Sequence, residues 1–560
     1  MKKWLMNMWA MLLLVLISSL VALLPVRTVA AASTLLSARV MQAAHDRVAA
    51  GEYPMLVIGV VDGKKSRLYA FNAAGDKAAD GNTMFEIGSV TKTFTALLLA
   101  EAVRSGAVTL DEPIAKLLPG FVIPSRDGKF ITLGNLADQH SGLPRLPGNL
   151  KPANPADPYS DYDAQDLKAF LGNYTLPRDP GSAYEYSNLG FGLLGYALAE
   201  RAHMSYGDLV QKNILEPLQM RMSGVKISDA MREHLAVGHD GAGAAVANWN
   251  FEALAGAGAI KSTGADMLRY LKANMGVLKT PLYSAMQFAQ KSRVVLGGDA
   301  RIGLAWMMLH TADGDVIWHN GMTGGYASFI GFSADGKHGV VVLTNIQQSV
   351  DDLGLASLVK GAALAPVRTT ISMDPAALDA YVGYYQLAPH FLLVVFRSGN
   401  QLYTQATGQG ALPIYPRAQD EFFAKIANIG ISFTHGKNGE VDGLMLHQHG
   451  DTPAAKVDAA TAAAAIGKTI APLDAATLGD YVGHYQLTPD SVFNVTLKGG
   501  QLYAQLTGQG ALPIYPSAKD QFFFIVVKAG INFERDKQGK VTALVLHQNG
   551  ADQRAPRITP

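Results

Sequence analysis

The sequence of 560 residues contains no cysteine. Disulfides, thiolate zinc sites, iron–sulfur clusters and cysteine nucleophiles are therefore excluded, and stability has to come from packing. The sequence also lacks an excess of either charge, because 47 Lys and Arg stand against 46 Asp and Glu and leave a formal charge of +1. Without a net positive field, nucleic acid is not an expected partner. With 49% hydrophobic and 17% charged residues, the chain is too apolar for a disordered protein and too long for one ordinary core.

Long apolar runs are confined to the N-terminus. Two lysines precede an apolar stretch over 9–24, and three alanines follow at 30–32. This order is typical of a secretory signal peptide, which we expect over 1–32. The alternative is an uncleaved membrane anchor, because the run is almost long enough to span a bilayer. Both interpretations predict an exported bacterial protein, periplasmic or extracellular, with a membrane contact only if this segment is retained.

The last third of the sequence contains a tandem repeat. Residues 374–450 and 474–550 align without gaps at an offset of 100, and 41 of the 77 positions are identical. Each copy alternates polar and apolar residues with the period of a β-strand and is punctuated by Gly and Pro. Such short strands predict a small antiparallel barrel. We expect one barrel over 370–453, an alanine-rich linker over 454–472 and a second barrel over 473–553.

Residues 33–365 combine helical and strand patterns. Apolar residues recur at helical spacing over 89–104 and again over 191–202. Strand-like runs lie near both ends of the region. Strands at both ends with helices between them predict an α+β domain built on one antiparallel sheet.

Ser89 and Lys92 form the first candidate catalytic pair, in the sequence Ser-Val-Thr-Lys. At the start of a helix this spacing places the hydroxyl and the amine on one face, so that a lysine with a lowered pKa can accept the hydroxyl proton. The same spacing recurs at Ser223 and Ser357, where an ordinary helix surface is the simpler interpretation. Only Ser89 follows a glycine and opens a long apolar helix that can bury its lysine.

Two further motifs carry groups suited to the same chemistry. Tyr186 and Asn188 lie in a turn before a helix, where a phenol and an amide can face one cavity. The alternative is a helix cap by Asn188 beside a packed tyrosine. His319-Asn-Gly321 ends a strand-like run, where small residues let a ligand approach the backbone.

In this order and spacing, the three motifs resemble those of the penicillin-recognising serine hydrolases, a group that includes class C β-lactamases, DD-peptidases and D-aminopeptidases. The resemblance covers roughly 35–365 and implies a β-lactamase/transpeptidase-like domain, in which helices flank an antiparallel sheet and form a further helical subdomain. The repeats resemble the lipocalin-like barrels appended to some members, notably D-aminopeptidases.

The resemblance also implies roles for individual residues. Ser89 is the nucleophile that becomes acylated, and Lys92 and Tyr186 share its proton as general base and acid. Backbone N–H groups of Ser89 and Met322 form the oxyanion hole. Asn188 holds the substrate amide. No cofactor and no metal are implied.

The third motif departs from the class C β-lactamases, which usually have Lys-Thr-Gly where this chain has His319-Asn-Gly321. A largely neutral imidazole holds a substrate carboxylate less firmly than an ammonium does, which argues against efficient β-lactamase activity. His319 and Gly321 are still expected to line the substrate site. We therefore expect a serine hydrolase that acts on D-amino-acid-containing peptides such as peptidoglycan fragments. A β-lactamase or esterase is the alternative, as is a penicillin-binding receptor that is acylated without turnover.

Overall fold

The computed structural model describes residues 34–73, 78–367, 370–425, 429–448, 450–548 and 550–558. The signal peptide expected over 1–32 lies outside these residues. Within them, no helix combines the length and the apolar character that a membrane crossing requires.

The elements up to residue 358 form one α+β domain. Its helices are α1 (Ala38–Ala49), α2 (Thr91–Arg104), α3 (Leu133–Ala137), α4 (Ala164–Asn173), α5 (Asn188–Ala202), α6 (Tyr206–Val210), α7 (Glu216–Leu218), α8 (Asp229–Arg232), α9 (Gly264–Asn274), α10 (Tyr283–Ala289) and α11 (Asp351–Leu358). Its strands are β1 (Met55–Asp62), β2 (Lys65–Asn72), β3 (Met84–Glu86), β4 (Ser125–Arg126), β5 (Lys129–Phe130), β6 (Gly238–His239), β7 (Ala245–Val246), β8 (Lys261–Thr263), β9 (Val294–Gly297), β10 (Ala300–Ile302), β11 (Met307–Thr311), β12 (Gly314–Met322), β13 (Ala327–Ser333) and β14 (His338–Thr344).

An eight-stranded sheet forms the centre of this domain, in the order β2-β1-β14-β13-β12-β11-β10-β9, and its neighbouring strands are antiparallel. Side chains alternate between the two faces, as the period of a strand requires. Leu56 and Ile58 of β1 join a core with α1 and α11 on one face. Val57 and Val61 join the large core that contains α2, α5 and α9 on the other. The prediction of an antiparallel sheet flanked by helices, with a helical subdomain, is confirmed.

Two closed eight-stranded barrels follow. The first is preceded by the short helix α12 (Pro375–Leu378) and contains β15 (Gly383–Ala388), β16 (Phe391–Ser398), β17 (Gln401–Ala406), β18 (Leu412–Ala418), β19 (Glu421–Ala424), β20 (Ile429–His435), β21 (Val441–His447) and β22 (Asp451–Val457). The second is preceded by α13 (Ala459–Ala465) and α14 (Ala475–Gly479) and contains β23 (Gly483–Thr488), β24 (Ser491–Lys498), β25 (Gln501–Leu506), β26 (Leu512–Ala518), β27 (Gln521–Phe523), β28 (Ala529–Arg535), β29 (Val541–Gln548) and β30 (Ala551–Ile558).

Side chains at equivalent positions fill both barrels, so the sequence repeat is also a repeat of the core. Buried pairs at the offset of 100 are Tyr385 and Tyr485, Leu402 and Leu502, Ile414 and Ile514, Phe422 and Phe522, and Phe433 and Phe533. The two all-β modules predicted after the catalytic region are therefore present as closed barrels.

The limits of the barrels differ from those expected from the sequence. The last strand of the first barrel, β22, ends at Val457 and includes the first residues assigned to the linker over 454–472. The alanine-rich run is largely the helix α13, whose first turn is capped by the Asp458 side chain. Alanine is the best helix former, so a run of it between two folded modules forms a packed helix and not a coil. The last strand of the second barrel reaches Ile558, beyond the expected end at 553.

The barrels contact each other and the catalytic domain. The Tyr384 and Tyr515 hydroxyls share a hydrogen bond of 2.7 Å, within an apolar contact that includes α13. The Ser349 N–H of the catalytic domain donates to the Lys425 carbonyl of the first barrel at 3.1 Å. The first barrel therefore packs against both the catalytic domain and the second barrel.

Candidate active site

Ser89 lies in a short 3₁₀ turn that leads directly into α2. Gly88 before it has a φ of +48°, a conformation that favours glycine, and an added Cβ there would lie 2.6 Å from the Met322 backbone nitrogen. A Cβ on Gly321 would overlap the Ile87 carbonyl oxygen and lie 2.9 Å from the Ser89 backbone nitrogen. The two glycines therefore let β12 touch the serine turn, and the backbone amides of Ser89 and Met322 lie close together as a result.

Lys92, the second residue of α2, is completely buried. Its Nζ lies 2.8 Å from Ser89 Oγ, 2.8 Å from Asn188 Oδ1 and 2.7 Å from the Ala257 carbonyl oxygen. Burial, and to a smaller extent the charge of Arg145, holds the pKa of Lys92 well below its usual range. In its neutral form the amine has two N–H donors and one lone pair, so it can donate to the two carbonyl oxygens and accept a hydrogen bond from the Ser89 hydroxyl. This geometry is that of a general base beside a nucleophile.

Tyr186 contacts the same serine. Its hydroxyl is hydrogen-bonded to Ser89, and the centre of its ring lies 4.9 Å from Lys92 Nζ. Burial raises the pKa of Tyr186 further above its usual value of 10, so the phenol keeps its proton. The cap of α5 is Ser187, whose side chain accepts an N–H from the first turn. The alternative of Asn188 as the helix cap is therefore wrong, and the Asn188 side chain is left to bind Lys92.

His319 is buried on β12 close enough to Lys92 for their charges to interact. Burial first, and then the charge of Lys92, lowers the pKa of His319 to about 3, so its imidazole is neutral at physiological pH. The next residue, Asn320, donates from Nδ2 to Asp351 Oδ2 at 2.7 Å. His319 thus presents no fixed positive charge to a substrate carboxylate. The cation that touches the site from outside is the exposed Arg145, whose guanidinium lies 5.2 Å from the centre of the Tyr186 ring.

The other two Ser-x-x-Lys sequences have different surroundings. Ser223 Oγ is hydrogen-bonded to Ser262 and Asp266, and Ser357 Oγ donates to the Leu353 carbonyl within α11. Among the serines that the structure describes, only Ser89 is hydrogen-bonded to a lysine amine.

Three aromatic residues that the sequence analysis missed wall the pocket at Ser89. The rings of Tyr159 and Phe251 stack with their centres 4.7 Å apart, and Trp249 meets Tyr159 edge-on at 5.3 Å. The pocket itself has a volume of only about 20 Å³, which is room for one water molecule. These residues lie in segments without helix or strand periodicity, so no sequence pattern indicated them.

A buried ion pair holds the backbone of Trp249 in place. Glu86 Oε1 accepts the Trp249 N–H at 2.8 Å, and Lys261 Nζ donates to the Trp249 carbonyl at 2.9 Å. The two side chains are themselves 3.9 Å apart and nearly inaccessible to solvent. The wall of the pocket is therefore fixed from behind by charged groups.

Comparison with known proteins identifies the class to which this site belongs. The family described as "Beta-lactamase" matches residues 40–364, more than half of the chain. The chain belongs to this family, and it is an enzyme of the serine hydrolase class. A second family, described as "Domain of unknown function (DUF3471)", matches twice, over 367–460 and 468–556.

Individual relatives match about half to two thirds of this chain. A beta-lactamase of Escherichia coli (strain K12) is 27% identical over 300 residues, which are 47% of this chain and 75% of that protein. The D-alanyl-D-alanine-carboxypeptidase/endopeptidase AmpH of the same strain is 27% identical over 330 residues, covering 53% and 83%. Penicillin-binding protein 4* of Bacillus subtilis (strain 168) is 23% identical over 408 residues, covering 66% and 86%. A solved class C beta-lactamase superposes with a TM-score of 0.51 at 25% identity, covering 58% of this chain and 98% of its own.

Proposed function

We propose that this chain hydrolyses D-amino-acid-containing peptides through an acyl-enzyme on Ser89, as a DD-carboxypeptidase-like or D-aminopeptidase-like enzyme exported by its N-terminal segment. The observation that carries the proposal is the buried Lys92 amine 2.8 Å from Ser89 Oγ. A relative named as a D-alanyl-D-alanine-carboxypeptidase/endopeptidase supports the substrate class. The neutral His319 supports a peptidase over an efficient β-lactamase, because it supplies no cation for a β-lactam carboxylate.

Acylation uses the groups that surround Ser89. Its Oγ attacks the substrate carbonyl carbon while Lys92 accepts the hydroxyl proton. The charge that develops on the carbonyl oxygen is stabilised by the N–H groups of Ser89 and Met322, each contributing about 10²–10³ in rate. Tyr186, which is protonated, donates to the leaving nitrogen as the C–N bond breaks and receives the Lys92 proton in exchange. The products of this step are an ester on Ser89 and a free amine.

Deacylation reverses these roles around a water molecule. The water oxygen attacks the ester carbonyl while the same lysine and tyrosine pair accepts its proton. The bond to Ser89 Oγ breaks, the serine regains its proton and a carboxylic acid leaves. Asn188 serves both steps, because its carbonyl oxygen holds Lys92 and its amide group, which is hydrogen-bonded to Tyr159, has a second N–H for the substrate carbonyl.

The test compares the wild type with Ser89→Ala and with the matched control Ser357→Ala, which removes the serine of another Ser-x-x-Lys sequence. Each mature protein is incubated with a fluorescent penicillin and examined for covalent labelling by gel. Release of D-alanine from a peptide ending in D-Ala-D-Ala is measured in parallel. We expect Ser89→Ala to abolish labelling and to lower turnover by more than about 10³-fold, and Ser357→Ala to match the wild type.

Each other outcome has a defined meaning. Hydrolysis near the wild-type rate in Ser89→Ala contradicts the nucleophile. Labelling without D-alanine release supports a penicillin-binding receptor in place of an enzyme that turns over peptides. Absence of labelling, with release from a D-aminoacyl amide or an ester, supports a D-aminopeptidase or an esterase.

A further inference from the structure

A space larger than the pocket at Ser89 lies close to the candidate active site. A cavity of about 560 Å³ lies between the catalytic domain and the two barrels. The catalytic domain contributes 144–146 and Glu185, and the barrels contribute the equivalent Gly-Gln-Gly loops at 408–410 and 508–510. Its volume is in the range of sites that hold small molecules or short peptides.

Residues that line the cavity contact residues of the candidate active site. The Arg145 carbonyl accepts the Asn188 N–H at 3.0 Å, and the Arg145 guanidinium lies over the Tyr186 ring. Glu185, which lines the cavity, directly precedes Tyr186. The segments that line the cavity are therefore hydrogen-bonded or adjacent in sequence to Asn188 and Tyr186 of the candidate active site.

Packing between the domains fixes the cavity walls. A Cβ on Gly510 in the second barrel would lie 3.0 Å from Ser398 Cβ in the first. Val526 of the second barrel lines the cavity and is buried against Leu392 of the first barrel. The cavity therefore exists only when both barrels are in place, which gives a reason for two copies.

The side chains that face the cavity suit an anionic peptide. Glu185 pairs with Arg178 at 2.6 Å, whereas within the described residues neither Arg145 nor Lys528 forms an ion pair. The lining thus has two cations that are available to a carboxylate. Amide side chains that can bind peptide groups, and two rings stacked at 5.4 Å, complete the lining: Gln409, Gln509, Gln548, Phe396 and Tyr403.

We propose that this cavity is a second binding subsite, which holds a carboxylate-bearing part of the peptide substrate remote from the scissile bond. The inference rests on the proposed peptidase function. An extended chain advances about 3.3–3.6 Å per residue, so only substrates with several residues beyond the scissile bond reach the cavity. The barrels then select long acidic peptides over short ones.

The test uses three substrates with one scissile bond: a blocked dipeptide, a longer peptide with a glutamate several residues away, and the same longer peptide with glutamine. For the wild type we expect kcat/KM to be at least tenfold higher on the acidic peptide than on the dipeptide. Lys528→Glu should remove this preference and leave the dipeptide within twofold. The matched control is Lys537→Glu, an exposed lysine at the far end of β28, about 20 Å away, which should change nothing.

A second pair of variants compares equivalent residues in the two barrels. Gln548 lines the cavity, whereas the equivalent Gln448 in the first barrel is exposed and does not. Gln548→Ala should raise KM for the acidic peptide about threefold, and Gln448→Ala should not. Equal kcat/KM on all three substrates in the wild type would overturn the subsite, and so would an equal loss on the dipeptide in Lys528→Glu.

A binding experiment tests the subsite independently of the proposed peptidase activity. A fluorescent acidic peptide is titrated into Ser89→Ala and followed by anisotropy, with Lys528→Glu added as a second change. Binding that weakens about tenfold on charge reversal supports the subsite even if the wild type hydrolyses no peptide. If the wild type hydrolyses the dipeptide but no binding preference for the acidic peptide exists, the subsite is wrong and the peptidase stands.

Discussion

The catalytic domain and the two barrels bury different kinds of side chain. In the catalytic domain, Lys92, Lys261, Glu86 and His319 are each no more than 4% exposed. In the described residues of the barrels, the buried polar side chains are Thr404 and Gln405, and neither carries a charge. Burying an ionisable group costs free energy unless it is paired or neutral. Buried Asp, Glu, His, Lys and Arg side chains therefore occur in the catalytic domain but not in the described residues of the two barrels.

From this difference we expect activity and stability to depend on different parts of the molecule. Substitutions of the buried polar groups that contact Ser89 should change chemistry more than folding, whereas substitutions in the barrel cores should change folding and leave the chemistry at Ser89 alone. The following substitutions test that division, beginning with the largest effect.

Lys92→Met should have the largest effect on activity. It replaces the amine with an apolar group of similar length, so kcat/KM for a short peptide should fall by about 10²–10⁴-fold with the loss of the general base. Removal of a buried ionisable group offsets the hydrogen bonds lost to Asn188 and Ala257, so the melting temperature should change little. Steady-state kinetics and thermal unfolding of the same preparation measure both. A variant within tenfold of the wild-type kcat/KM would exclude Lys92 as the base.

The pH dependence of kcat/KM in the wild type also tests the role of Lys92 as the base. Because burial lowers the pKa of Lys92, kcat/KM should rise with pH as this amine loses its proton, and this rise should lie below the pH range in which an ordinary lysine titrates. His319 has a pKa of about 3, so it should add no step near pH 6.5. A step at that pH that disappears in His319→Gln would show that the imidazole titrates.

Gly321→Ala should have the next largest effect. The added Cβ would overlap the Ile87 carbonyl, which is backbone and has no freedom to rotate away, so β12 must move from the serine turn. This shift displaces the Met322 N–H and should lower kcat/KM by about 10²–10³-fold, the usual effect of losing one oxyanion donor.

The matched glycine for this test lies before the second barrel. A Cβ on Gly479, at the end of α14, meets no atom within 4 Å, so Gly479→Ala should leave kcat/KM unchanged and should not lower the melting temperature. If Gly321→Ala behaves like Gly479→Ala, the close approach of β12 to Ser89 is not required for catalysis.

The sequence carried enough local information to predict which polar side chains lie together at Ser89. Ser89 and Lys92 are one helical turn apart, and Tyr186 and Asn188 are two residues apart, so each pair is set by local geometry. The barrel repeat was visible because its core residues recur at a fixed offset. In these cases one segment of chain determines the arrangement.

What the sequence did not predict depends on contacts between distant segments. Tyr159 and Trp249 meet at the pocket wall although 90 residues separate them, and neither lies in a periodic segment. Arg145 faces the site because the backbone of its loop binds Asn188. The helix α13 lies inside the predicted linker, and its packing against both barrels could not be inferred from alanine composition alone.

Asp351→Asn should affect stability and its pH dependence. Burial first, and then the charge of Asp352, raises the pKa of Asp351 from 3.8 to about 6. The folded state therefore binds the proton more tightly than the unfolded state, so the wild type loses stability as pH rises from about 4 to 6. The variant lacks this titration, and its amide oxygen can still accept from Asn320. Its free energy of unfolding at pH 7 should exceed that of the wild type by about 1–2 kcal/mol, with no difference at pH 4.

Denaturant unfolding at pH 4, 5, 6 and 7 measures this difference. Asp490→Asn, which changes an exposed carboxylate in the second barrel, is the control and should track the wild type. A constant difference between Asp351→Asn and the wild type at every pH would show that the effect is one of packing and not of titration.

The smallest effects are expected from the barrel cores. Tyr385 and Tyr485 each donate from a buried hydroxyl to the carbonyl of Tyr381 or Tyr481 at 2.7 Å. Tyr385→Phe and Tyr485→Phe should each lower the stability of one barrel by about 1–2 kcal/mol, and the two losses should add because the sites lie in separate domains. Activity on a short peptide should stay within twofold of the wild type.

The distribution of tryptophan makes this last test selective. All five tryptophans lie at or before position 318, so none is in a barrel. Tryptophan fluorescence therefore follows the catalytic domain, whereas circular dichroism of β-structure also follows the barrels. In both variants the transition seen by circular dichroism should shift to lower denaturant while the fluorescence transition stays in place. If the fluorescence transition shifts equally, the barrels and the catalytic domain unfold as one unit, and the division between a domain for chemistry and modules for stability does not hold.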